Sequence, residues 1–320
     1  MSEQRSVTID AFRGFAVFCL VIGNFISAFV WVPVWLKHAP DIGFTIIDLG
    51  APAFIFVIGL NYVTSFQRRF SKEGAGATFQ HFLVRYFAIL GLGSLFGAGQ
   101  VLFQINSIVV NWGVLQAIGV AGILTLVVIR LPTWQRLLIC LGLLTGYQLL
   151  LDRFWLGIVL TSPHGGLLGS LAWTALLILS TVLADLFYRD DRGFIRLLAA
   201  ASLSILLALL LSLWFPISKN RVSETYILLS LGLSGWFYCL FYVLVERFKW
   251  NLNLFVSWGR NPLLLYVLHL LLQGLLTLPF QSTWSTLAPI WVVIIQVTLL
   301  LSLLTLIARF LDQKKYYFVL

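Results

Sequence analysis

The chain has little charge and little sulfur. Only 10% of its 320 residues are Asp, Glu, Lys or Arg, whereas 60% are hydrophobic, which leaves too little polar surface for a water-soluble globule. Cys19, Cys140 and Cys239 form neither a CxxC pair nor a Cys/His ligand spacing, which argues against a disulfide framework and a metal site. Each lies in an apolar run and reads as a small core residue. Low-complexity segments, a visible internal repeat and room for a soluble domain between the hydrophobic runs are all lacking. The opening MSEQRSVTIDAFRG lacks the apolar core and cleavage site of a secretory signal, so the first hydrophobic run is expected to remain as a membrane span. The glycines of Gly91–Gly99 follow no strand and precede no Lys-Ser/Thr pair, so they indicate close helix packing and not a phosphate loop.

What the chain does have is apolar length. Its mean hydropathy is +0.96, and a bilayer core takes about 20 apolar residues to cross as a helix. Interruptions rich in charge, Pro or Gly divide the sequence into spans near 11–31, 44–66, 80–102, 112–130, 134–151, 168–187, 194–214, 226–245, 256–278 and 288–309. The expected fold is all-α, a polytopic membrane bundle of about ten transmembrane helices forming one integral domain over residues 1–320. Threading these spans with the N-terminus inside leaves only Lys37, Arg153, Lys219 and Arg221, of 21 basic residues, on the outer side. That asymmetry predicts both termini in the cytoplasm, with the plasma (inner) membrane as the expected host and the lipid bilayer as a partner. The net charge of +9 is spread over many loops and forms no single basic patch with interleaved aromatics, so nucleic acid is not an expected partner. A homodimer is left open.

Polar residues among so many apolar ones are costly in lipid and mark function. Between Arg5 and Ser65 the sequence places Asp10, Arg13, Asn24, His38, Asp41 and Asp48. Asn24 lies eleven residues beyond Arg13, a climb of about 16 Å along a helix. His38 sits in the WLKHAP turn on the outer side and Asp48 begins the returning helix, so the two are expected to meet near the outer face. Such an arrangement suits a reaction across the membrane, in which an anionic cofactor docks at a cytoplasmic Arg and its long arm delivers an activated group to an imidazole acting as base. The plainer alternatives are an i,i+3 ion pair of Asp10 with Arg13 at a helix start and an interfacial His38 bonded to backbone.

The run Arg5-Ser6-Val7-Thr8-Ile9-Asp10-Ala11-Phe12-Arg13-Gly14, followed by Asn24, His38-Ala39, Gly43, Asp48-Leu49, Pro52, Phe54 and Phe56, resembles the catalytic domain of heparan-alpha-glucosaminide N-acetyltransferase and its prokaryotic relatives, a branch of the transmembrane acyltransferases. Gly113-Val114-Leu115-Gln116, Gly166-Leu167-Leu168 and the segment from Asn261 through Tyr266 to His269 agree with it more sparsely. The resemblance implies transfer of an acetyl group from cytoplasmic acetyl-CoA, with no metal, to an amine or hydroxyl of a sugar or glycan on the far side. It places the catalytic His on His38 and its partner Asn on Asn24, which would hydrogen-bond the thioester carbonyl as negative charge develops there. Asp48 is the candidate to orient the imidazole. Arg13, with Arg260 second and Asp10 beside it, would meet the CoA phosphates. Gln116, His269 and Asp41 are candidate acceptor contacts, although His269 also reads as a core His bonded to a neighbouring helix.

Departures from the family pattern gather on the outer side. Asp41 replaces an aromatic residue, Ala117 replaces an arginine after Gly-Val-Leu-Gln, and Val222 and Glu224 replace an aromatic residue and a Pro. An acidic glycosaminoglycan end is therefore not the expected acceptor, and the added negative charge either favours a cationic amine or is ordinary solvated surface. Two rival readings remain, a ten-helix transporter or flippase that binds a polar solute without covalent chemistry and a family member that binds without catalysis.

Overall fold

The computed structural model describes residues 7–27, 29–102, 112–277 and 288–318; Arg5 and Ser6 of the resembling run, residue 28 within the first expected span, and residue 278 at the edge of the ninth lie outside them. Among the described residues the chain is helical, with turns and no strand. Its helices are α1 (Val7–Ile26), α2 (Gly50–Leu102), α3 (Val114–Val128), α4 (Thr133–Leu150), α5 (Leu156–Val159), α6 (Gly166–Tyr188), α7 (Gly193–Leu211), α8 (Glu224–Tyr242), α9 (Asn253–Arg260), α10 (Pro262–Thr277) and α11 (Ile290–Gln313). This is an all-α polytopic membrane protein.

Each expected span overlies a helix, but the helices are not ten equal crossings. Among the described residues seven are long and apolar enough to cross a bilayer, or eight if the bent pair α9–α10 counts as one span. Three causes explain the difference from ten. First, the two spans expected at 44–66 and 80–102 form the single long element α2, interrupted only at Gly74 with φ 79° and ψ 179°. That backbone conformation is open to glycine and strained for other residues. Tyr62 stacks on Tyr86 at 5.6 Å and Phe66 meets Phe79 at 5.4 Å across the break, so the two arms fold back as a hairpin. Second, α3 has only 15 residues, below the length that spans a bilayer alone. Third, α9 and α10 meet at 89°. Pro262 lacks an N–H and pushes the preceding residue out of the helical region; Asn261 accordingly has φ −129° and ψ 50°.

The described chain divides into two compact units, one made of residues before 40, 45–54 and those after 236, the other of 40–44 and 55–236. In the first unit, α1 and α9 approach so closely that a Cβ on Gly14 would lie 1.8 Å from the Phe255 carbonyl oxygen, and one on Gly259 the same distance from that of Asp10. Phe12, Phe15 and Phe18 fill the adjoining faces. Phe12 meets Phe241 at 5.4 Å, Phe15 meets Phe255 at 5.5 Å and Phe18 meets Trp258 at 5.2 Å, supplying the buried aromatic area that holds the pair together. In the second unit α6 is central and mostly buried, whereas α4 with the α5 turn that follows it, and α7, are mostly exposed. The latter two therefore present their apolar faces to lipid.

Candidate active site

The His38 loop is built by a capped turn. Residues Ile46–Leu49 form a 3-10 turn whose N-cap is Thr45 and whose third residue is Asp48, the reciprocal spacing of a capping box. One Asp48 oxygen, Oδ2, accepts from Thr45 N at 3.0 Å, Thr45 Oγ1 at 3.1 Å and Ala39 N at 3.1 Å. Thr45 Oγ1 also reaches the Lys37 carbonyl at 2.6 Å. The backbone on both sides of His38 is thus tied to one turn. The other oxygen, Oδ1, lies 2.7 Å from His38 Nδ1, with the Asp48 side chain fully buried and that of His38 32% exposed. A carboxylate only accepts, so Nδ1 carries the proton and Nε2 of the neutral ring keeps its lone pair for an outside proton.

A second cluster joins α1 to α10. Asn24 Nδ2 lies 3.2 Å from Nε2 of His269, which is completely buried. With the amide donating, the His269 proton sits on Nδ1. The Asn24 backbone carbonyl accepts from Gln273 Nε2 at 3.4 Å, which fixes the helix end from which the amide projects. Among the described residues the Asn24 side chain makes no further hydrogen bond, so one N–H and the carbonyl oxygen can meet a bound molecule.

A third cluster lies at the start of α1. Buried Asp10 pairs with Arg13 at 3.3 Å and lies 4.0 Å from Arg260 Nε. Arg13 also donates to the Gly259 carbonyl at 3.1 Å, and Arg260 is ion-paired with Asp312. Two guanidiniums therefore converge on one carboxylate. Both are part-exposed, at 19% and 30%, so a phosphate can compete with Asp10 and Asp312 for their donors.

Gln116 and Asp41 belong to the second unit. Gln116 caps α3 by accepting from Gly113 N at 2.9 Å and donates to the Gly93 carbonyl at 2.9 Å. Asp41 accepts from Arg221 Nε at 3.0 Å and from Ser218 Oγ at 2.9 Å. The Arg221 hydrogen bond holds its carboxyl below the usual carboxylate range. Its negative charge is thereby already answered.

The family described as heparan-alpha-glucosaminide N-acetyltransferase, catalytic, matches residues 5–210. The chain belongs to this family. No curated protein matches it. Membership in the heparan-alpha-glucosaminide N-acetyltransferase catalytic family, together with the long apolar helices, classes the protein as a membrane acetyltransferase. The match ends before α9, α10 and α11, so Arg260, His269 and Asp312 lie beyond it and join Asp10, Arg13 and Asn24 only through tertiary packing. Sequence reasoning missed two residues of this machinery. Thr45 was legible as the first member of a Thr-x-x-Asp capping pattern. Asp312, 52 residues beyond Arg260, carried no local signal.

Proposed function

We propose that the protein moves an acetyl group from cytoplasmic acetyl-CoA to an amine or hydroxyl of a sugar or glycan on the opposite side of the membrane. The observation that carries this reading is the His38–Asp48 pair, because a buried carboxylate that fixes an imidazole tautomer leaves a free basic nitrogen on an accessible ring. In the proposed reaction His38 Nε2 takes the proton of the acceptor as its N or O attacks the thioester carbonyl. The C–S bond breaks, and the proton passes from His38 to the departing CoA thiolate. Asp48 stabilises the imidazolium that forms between these steps. Asn24 donates its remaining N–H to the carbonyl oxygen as charge develops there, while His269 holds the amide in place. Arg13 and Arg260 bind CoA phosphates, with Asp10 setting their spacing. Asp41 and Gln116 are not needed for this chemistry.

The skewed distribution of basic residues supports placing both termini in the cytoplasm of a plasma membrane, with Arg13 and Arg260 toward the donor. A transporter built from inverted halves would show broken helices in corresponding pairs; the described residues contain one bent pair, α9–α10.

The test is acetyl-CoA turnover by the whole chain in nanodiscs with glucosamine-like acceptors, following CoA release and acetylated product for wild type and His38→Ala. Acceptor-dependent turnover that vanishes in the variant supports the reading. Full turnover in His38→Ala, or no acetyl-CoA binding by the wild type, refutes it.

A further inference from the structure

The second unit holds a pair of adjoining cavities that the acyl-transfer reading does not use. Their volumes are about 580 and 400 Å³, and they share Val63, Gln67, Pro132, Thr133 and Asp185. They lie where the first arm of α2, α3 and α6 end and α4 begins, so they sit at one end of the helices, at the depth of a membrane surface. The charge there is lopsided. Asp185 is the one acidic residue of the lining, against Arg130, Arg136 and Arg189. Its carboxylate is taken by Arg136 and by Thr133 Oγ1 at 2.6 Å. Arg130 is exposed and rests on the Phe70 ring at 4.9 Å. Arg189 is exposed and its guanidinium makes no hydrogen bond among the described residues; its neighbour Asp190, paired with Arg196 at 2.7 Å, meets it only through a longer-range charge interaction. Two cationic forks are left to face an anion.

The surroundings say which anion. The cavity lip carries Trp134, 60% exposed, and Tyr188, 44% exposed, the amphipathic rings typical of a membrane interface. From Trp134 a stripe of exposed residues runs up α4 through Leu138, Leu141 and Thr145 to Leu149, at the four- and three-residue steps of one helix face. A ligand seated on the arginines would lie with its far end against this apolar stripe.

We propose that this pocket is a binding site for an anionic phospholipid, its phosphodiester held by Arg130, Arg189 and the Gln67 amide, and an acyl chain laid along Trp134, Leu138 and Leu141. Basic pockets between helix ends at a membrane surface recognise such headgroups through charge-assisted hydrogen bonds. The inference needs only that the protein is in a membrane, and stands or falls apart from the acyl-transfer chemistry.

The experiment is native mass spectrometry of the whole chain released from nanodiscs of equal parts phosphatidylglycerol and phosphatidylcholine. The expected result is one retained phosphatidylglycerol, preferred by roughly tenfold and unaffected by excess inorganic phosphate. In R130Q/R189Q the preference should disappear, whereas K314Q/K315Q, which removes the same charge from the end of α11, should keep it. Retention without headgroup preference in the wild type, or an unchanged preference in R130Q/R189Q, overturns the proposal. Displacement of the lipid by inorganic phosphate also overturns it and assigns the pocket to a soluble anion. The wild-type comparison decides the matter even if the double variant does not fold.

Discussion

Asp48→Asn is the sharpest perturbation of the proposed mechanism. The native carboxylate accepts three bonds on Oδ2, from Ala39 N, Thr45 N and Thr45 Oγ1, and one on Oδ1, from His38. An asparagine offers one acceptor oxygen. Turned toward His38, it would leave two backbone N–H groups facing an NH₂, at a cost of about 1–3 kcal/mol for each unsatisfied buried donor. Turned toward the backbone, it satisfies those donors and presents N–H to His38 Nδ1. The second orientation is favoured by about 2 kcal/mol or more on that accounting. It forces the ring proton onto Nε2 and removes the lone pair that should receive the acceptor proton. The expected loss in kcat is about 10³–10⁴-fold, the size associated with a wrong imidazole tautomer, with KM for acetyl-CoA little changed. The assay is steady-state CoA release in nanodiscs, paired with ¹⁵N NMR of labelled histidine to read the tautomer. Turnover within tenfold of wild type, or an unshifted His38 tautomer accompanying a large loss, would refute the reasoning.

Asn24→Ala removes the proposed oxyanion donor and should lower kcat by about 10²–10³-fold without raising KM for acetyl-CoA; a pure KM effect would assign Asn24 to binding. Gly259→Ala puts a methyl 1.8 Å from the Asp10 carbonyl oxygen, so α1 and α9 must part, costing about 1–3 kcal/mol or more; an unchanged melting temperature would contradict the packing. Asp312→Asn leaves Arg260 charged with one competitor fewer and should lower KM for acetyl-CoA several-fold; a rise would show that Asp312 positions Arg260 for binding. Asp41 has a folded-state pKa below its ordinary 3.8, so its pair with Arg221 stabilises the folded state above that value and ceases to as pH falls through the lowered one. The drop in melting temperature between about pH 5 and about pH 3 should therefore be larger for wild type than for Asp41→Asn, and equal drops would show that the pair contributes nothing.

The amino-acid order alone determines that this is a bundle of membrane helices, because apolar run length answers to bilayer thickness and needs no partner to be read. It also carries the family likeness from Asp10 to Phe56, where function packs polar residues into a short stretch. Helix geometry at Gly74 and Asn261 is local too, but its outcome is not. Whether a glycine bends a long helix back into a hairpin depends on rings such as Tyr62 and Tyr86 finding each other across the break. Only the tertiary structure decided that His269 meets Asn24 from 245 residues away and that Arg260 shares Asp10 with Arg13. Pairings of that range depend on which helices pack together, here through the glycine contact of α1 with α9. That choice is set by complementarity of whole faces, which no single spacing along the chain records.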